Sequence, residues 1–228
     1  MCSSQLGYSQ KREKSFSISG FVDFNGYHDT RSFSTLTYNI LLQLSDRLQY
    51  FSLTNHDGQS SSSELTTTYA EHNLRYKLSQ NSPLDATLQY VIRNGAFNDD
   101  IKLGIRWRLN NTMGLSSFFK KLQMSYSVNS MLVQFRNSTQ TKYATQLEHV
   151  YRIALFPKSL NNRLYLGGFA DQIVNYTNDK ISFTWVTEHQ LGYRVYKQLY
   201  VVAEYRRNEF RTQGIDGLGY GLEYVVKF

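Results

Sequence analysis

The sequence predicts an all-β fold, a closed, antiparallel, up-and-down transmembrane β-barrel of about twelve strands, and three observations predict it. Apolar residues recur at every second position through most of the chain, as in Leu84, Ala86, Leu88, Tyr90 and Ile92, or Ile101, Leu103, Ile105, Trp107 and Leu109. That is the period of a strand with opposed faces. The composition is polar, with 41% hydrophobic residues and a mean hydropathy of −0.47, yet it includes 18 Tyr and 14 Phe. A soluble chain of 228 residues would be nearer half apolar. Strands that need one greasy face, with aromatic girdles at two membrane interfaces, fit this balance better. Finally, no apolar run approaches the ~20 residues of a membrane-spanning helix. The 2 prolines, Pro83 and Pro157, fall at proposed turns, where no ladder donor is lost.

In chain order the strands lie near 15–27, 32–44, 47–56, 64–78, 84–94, 100–110, 120–135, 143–156, 162–175, 180–196, 198–208 and 217–228. The number is even, as single-chain barrels of this kind require. Alternation is sharpest in 84–94 and 100–110, where Asp85, Thr87, Gln89, Arg93, Lys102, Gly104, Arg106 and Arg108 separate the apolar positions. In 180–196, Ile181, Phe183, Trp185, Leu191, Tyr193 and Val195 interleave with Ser182, Thr184, Glu188, Gln190, Gly192 and Arg194. Polar hairpins at 57–63, 94–100, 136–142, 176–179 and 209–216 face one side, and tight turns at 45–46, 79–83, 156–161 and 196–198 face the other. The connection 111–119 is long for a tight turn, and 47–56 and 162–175 alternate poorly, so the count is open by two strands there. Turn signals are evenly spaced, giving one barrel domain over 15–228 behind a flexible polar tail, 1–14. The tail carries Lys11, Arg12 and Lys14 and has no apolar core, so it reads as no signal peptide. Cys2 is the 1 cysteine and excludes an internal disulfide.

The closing segment places Tyr220, Leu222, Tyr224, Val226 and Phe228 on one face, with Gly219, Gly221, Glu223 and Lys227 on the other. It resembles the last strand of bacterial outer-membrane β-barrels, whose terminal Phe belongs to the family's assembly signal. The resemblance implies a bacterial outer-membrane location, contact with outer-membrane lipids, and recognition of this strand by the barrel-assembly machinery. By its pattern nearly the whole chain is porin-like. Twelve-stranded proteins of this general kind include nucleoside channels and acidic-oligosaccharide channels.

In such a barrel the apolar parity meets lipid and the opposite parity lines the lumen. Parity places Glu71, Arg75, Lys77, Arg93, Lys102, Arg106, Arg108, Glu148, Arg152, Glu188, Arg194, Glu204, Arg206, Glu223 and Lys227 inward. Basic groups lead in this set, in line with the net charge of +7 and the pI near 9.3. Arginines keep their charge and offer a planar fork to carboxylates and phosphates, so Arg75, Arg93, Arg106 and Arg108 would favour anions over cations. The expected function is passive diffusion of small polar or anionic solutes, by a monomer or small homo-oligomer without enzymatic activity. An equally plain reading pairs these arginines with Glu71, Glu148, Glu188 and Glu204 across strands, leaving a structural barrel with a blocked lumen.

Other constellations carry less. His72, His149 and His189 lie on the apolar parity, with Thr145 and Thr187 nearby. An outward polar cluster resembles that of the outer-membrane phospholipase, but the His-x-Ser-Asn-Gly arrangement of that family does not occur here. The histidines lack the close spacing of metal ligands, and no cofactor motif occurs. Gly217, Gly219 and Gly221 precede no helix and read as small wall positions rather than a dinucleotide site. Aromatics and arginines fall on opposite faces, so stacking and phosphate contacts cannot cooperate on nucleic acid.

Overall fold

In the computed structural model, twelve strands hydrogen-bond in sequence order and β1 meets β12, closing a ring in which every pairing is antiparallel. The structure describes residues 17–59, 65–95, 99–136, 141–177 and 180–228. The polar tail with Cys2, Lys11, Arg12 and Lys14, and the hairpin tips at 60–64, 96–98, 137–140 and 178–179, lie outside the described residues. The strands are β1 (Ser19–Asp29), β2 (Phe33–Gln43), β3 (Leu48–Gln59), β4 (Thr67–Lys77), β5 (Leu84–Arg93) and β6 (Asp100–Arg108). They continue as β7 (Met124–Arg136), β8 (Thr141–Leu155), β9 (Leu164–Thr177), β10 (Ile181–Tyr196), β11 (Leu199–Asn208) and β12 (Asp216–Lys227). The predicted fold class, strand number and order are those of the molecule.

Side-chain orientation is that of a barrel immersed in lipid. Tyr90, Ile105, Trp107 and Tyr224 are 40%, 41%, 40% and 48% exposed, whereas the alternate residues Asn73, Gln89 and Glu223 are each 1% exposed. The polar parity therefore faces the interior, and an apolar belt covers the outside. In water such a belt would be a large unfavourable apolar surface. Closure follows from the same setting, because each backbone donor and acceptor in hydrocarbon needs a partner and a ring leaves no edge. At the seam Phe24 stands opposite Tyr224 and His28 opposite Tyr220. Beyond the last strand, Gly20 N donates to Phe228 O at 2.9 Å and Phe228 N returns a bond to Gly20 O at 3.2 Å.

One expectation needed correction, and the weak alternation of two predicted strands has a structural reason. The segment 120–135 begins later, as β7 at Met124, because the long connection before it folds into a short 3-10 turn, Leu109–Asn111, and a helix, α1 (Ser116–Lys121). Strand β3 alternated poorly because it places Phe51 and Leu53 inward and Tyr50, Ser52, Thr54 and His56 outward. In β9, Gly168 and Gln172 occupy outward positions, and Gly168 has a φ of 153°, a conformation that suits glycine. Hydropathy along either strand thus underreports its two faces.

Candidate functional site in the barrel lumen

Inward side chains from strands that are not ladder neighbours meet one another, so these contacts cross the interior. The Tyr27 hydroxyl on β1 donates to Gln190 Oε1 on β10 at 2.5 Å. Arg106 Nη1 on β6 donates to Gln49 Oε1 on β3 at 2.9 Å, and Arg206 Nη1 on β11 reaches Thr35 Oγ1 on β2 at 3.4 Å. The Tyr165 hydroxyl on β9 donates to the Glu223 carboxylate on β12 and accepts from the Gln190 amide. One glycine makes this possible: a Cβ on Gly192 would lie 2.2 Å from the Tyr165 ring, so the ring rests flat on bare wall.

Charged residues of the lumen form three groups. Near the hairpin end, Arg206 pairs with the Glu204 carboxylate, lies 3.4 Å from Glu188 and stacks 5.0 Å over the Tyr27 ring. At the level of the tight turns of β4 and β6, Asp85 binds Arg106 at 2.6 Å and Arg108 at 3.1 Å. Between these levels Asn129, Glu148 and Asp171 are successive ladder partners on β7, β8 and β9, with the Asn129 amide donating to Glu148. The Tyr69 hydroxyl and the Gln89 amide hold Glu71 on the facing wall, near enough to Glu148 and Asp171 for mutual repulsion. Arg75 and Lys102 are the cations of this middle zone, and the Lys102 ammonium donates to Gln146. Adjacent carboxylates are unfavourable without such counter-ions.

The structure puts each sequence-predicted lumen residue on the inward parity, but it does not make them one arginine ring. Arg93 binds Asp100 at 2.7 Å, Arg194 donates to the turn carbonyl of Asn161 at 3.2 Å, and Lys77 to that of Asp46 at 3.1 Å. Asp23, Asp29, Asp57, Asp85, Asp100 and Asp171 also face inward and were missing from the sequence-based set, so the excess of basic groups there does not hold. Their signal was present, since each lies two residues from another inward position on its own strand. Among the described residues, Arg75 and Arg152 have no carboxylate at ion-pair distance. Arg75 lies 5.0 Å over Phe51, and Arg152 lies 3.4 Å over Tyr165.

A cavity of about 490 Å³ opens at the tight-turn end, lined by Phe119 and Lys120 of α1 and by Gln123, Met124, Ser125, Arg152, Ala154, Asn162, Leu164, Tyr165 and Tyr200. Among the described residues, two cations and no carboxylate line it. Arg152 is exposed there, with its guanidinium over the Tyr165 ring and within electrostatic reach of Asp23 and Glu223. At the opposite rim, Glu209 accepts from Trp185 N at 2.8 Å and from Arg207 at 2.9 Å, which holds its carboxyl below the usual range.

The outward histidines meet tyrosines rather than Thr145 or Thr187. Nδ1 of His72, His149 and His189 lies 2.8, 2.7 and 2.8 Å from the hydroxyls of Tyr50, Tyr126 and Tyr151. Such bonds reduce the cost of a polar ring on the apolar wall. Among the described residues no group of His, Cys, Asp and Glu has the arrangement of a metal site.

No family profile matches the chain, and no curated protein matches it. Solved structures do. The NanC porin in a rhombohedral crystal form has a TM-score of 0.60 at 8% identity, over 90% of this chain and 98% of that one. The KdgM porin has 0.53 at 12% identity over 90% and 98%, and it has also been solved in complex with disordered oligogalacturonate. The COG4313 outer membrane channel from Pseudomonas putida F1 has 0.50 at 12% identity over 98% and 100%. These neighbours are porins and channels, and what this chain shares with them is the fold: a closed antiparallel barrel of the outer-membrane porin type.

Proposed function

We propose that this protein is a passive channel of a bacterial outer membrane for small hydrophilic solutes, with a preference for anions. The observation that carries the preference is the cavity at the tight-turn mouth, where Arg152 and Lys120 line the opening and, among the described residues, no acidic one does. Low-dielectric walls focus the field of such fixed charges and raise the local concentration of oppositely charged solutes. A pre-oriented guanidinium suits carboxylates in particular, and the oligogalacturonate of the KdgM complex is a solute of that chemistry. In this reading the apolar belt contacts outer-membrane lipid, and β12 with Tyr220, Leu222, Tyr224, Val226 and Phe228 is the strand presented to the assembly machinery.

A second reading rests on the contacts that cross the lumen. With Gln89, Glu204 and Glu223 each 1% exposed, at three different heights, the interior is filled along much of its length, which suits a structural barrel. Planar-bilayer recording separates the two. The channel gives single-channel steps and, under a KCl gradient, a reversal potential of the sign for chloride preference. Absence of steps from folded, heat-modifiable protein supports the blocked barrel, and a cation-selective potential overturns the anion reading.

A further inference from the structure

Among the connections, the excess of positive charge lies at one rim. The connections at the tight-turn end, 44–47, 78–83, 109–123, 156–163 and 196–198, contain Arg47, Lys120, Lys121, Lys158, Arg163 and Lys197, against the single carboxylate of Asp46. Apart from Arg47, which is half-buried, these cations are exposed. Apolar groups accompany them. On α1, Leu115, Phe118 and Leu122 recur at i, i+3 and i+7, together with Lys121, and Phe118 is 58% exposed. The helix is pinned by its other face, where buried Phe119 stacks 6.0 Å from the outward ring of Tyr126. Beside it Met113 is 96% exposed, and Phe156, in the next connection, 69%.

Two of these cations are seated on rings of the outer wall. Arg47 lies 4.4 Å over Tyr76 and is fixed by donating to the carbonyls of Lys77 and Leu78 at 2.8 to 3.0 Å; Lys197 lies 5.2 Å over Tyr196. Tyr76 lies at the end of β4 on the exterior parity, and Tyr196, past the register shift that ends β10, stands opposite the outward Leu199, so these charges stand just beyond the apolar belt. Exposed apolar residues bracketed by cations on a barrel rim match a boundary between acyl chains and negatively charged headgroups.

We propose that this rim docks on anionic phospholipid headgroups, with α1 lying in the interface and Lys121, Lys158, Arg163, Lys197 and Arg47 as phosphate partners. The inference rests on the barrel spanning a membrane, and its test separates the two claims. Trp107 stands on the outer wall at this rim, its Nε1 donating to Thr112 Oγ1 at 2.8 Å, while Trp185, the other tryptophan of the 2 in the chain, lies toward the opposite rim. In a Trp185→Phe background the fluorescence of Trp107 therefore reports this rim alone.

The protein is refolded into phosphatidylcholine vesicles containing a fixed fraction of either brominated phosphatidylglycerol or brominated phosphatidylcholine. Docking predicts roughly twofold stronger quenching by the brominated anionic lipid, with the difference removed by Lys121→Gln, Lys158→Gln and Lys197→Gln together and reduced at high salt. Equal quenching by both lipids overturns the inference while leaving the membrane barrel intact, and directs attention to an acidic soluble partner. Quenching by neither lipid overturns the membrane reading itself.

Discussion

Arg152 shows how much the neighbours of a charge decide what it can do. Most inward arginines meet a carboxylate, so their charge is largely used within the wall. Arg152 lies over a ring and lines the cavity, with Asp23 and Glu223 within electrostatic reach and no ion pair to either. Replacement Arg152→Gln should lower the chloride-to-potassium permeability ratio by about two- to fivefold, as expected for removing one charge screened by water and salt. Arg152→Lys should retain most of the ratio but lose affinity for planar carboxylates, measured as weaker block by an added uronate. Parity alone identified Arg152 as inward from the sequence. It could not separate Arg152 from Arg106, because pairing depends on which residues of other strands share its height, and that is fixed by register.

At the scale of elements, β5, β6, β10 and β12 were legible because lipid outside and water-like chemistry inside leave opposite marks on successive residues. Strand β3 was less so, since Phe51 faces inward as the platform for Arg75. Helix α1 had no signal: it has six residues, no side-chain N-cap and no acidic residue in its first turn. Where β9 pairs with β10, Gly192 leaves room for the ring of its partner Tyr165. Gly192→Val should push the ring off the wall, break its bond to Glu223 and destabilise the barrel by about 1–3 kcal/mol. Urea unfolding in detergent micelles measures this, and Gly192→Ser should show a smaller loss of the same sign.

For the whole molecule, sequence pattern yielded the ring, its strand order and which face meets lipid. It did not yield the state of the lumen, because many of the side chains that fill it meet partners distant in the chain, as Arg106 meets Gln49 and Tyr165 meets Glu223. Arg206 illustrates this, neutralising Glu204 and Glu188 while touching Tyr27 and Thr35. Arg206→Ala leaves buried carboxylates without their cation and should cost about 3 kcal/mol, read as a lower urea midpoint or a lower temperature for loss of heat-modifiable migration. The contacts of Arg206 with Thr35 and of Tyr27 with Gln190 each join strands on either side of the β12–β1 boundary. That boundary, where the two chain ends meet, is consequently laced from within. Parting it sideways would have to undo buried polar ties as well as its own ladder, so it need not be the weakest line of the cylinder.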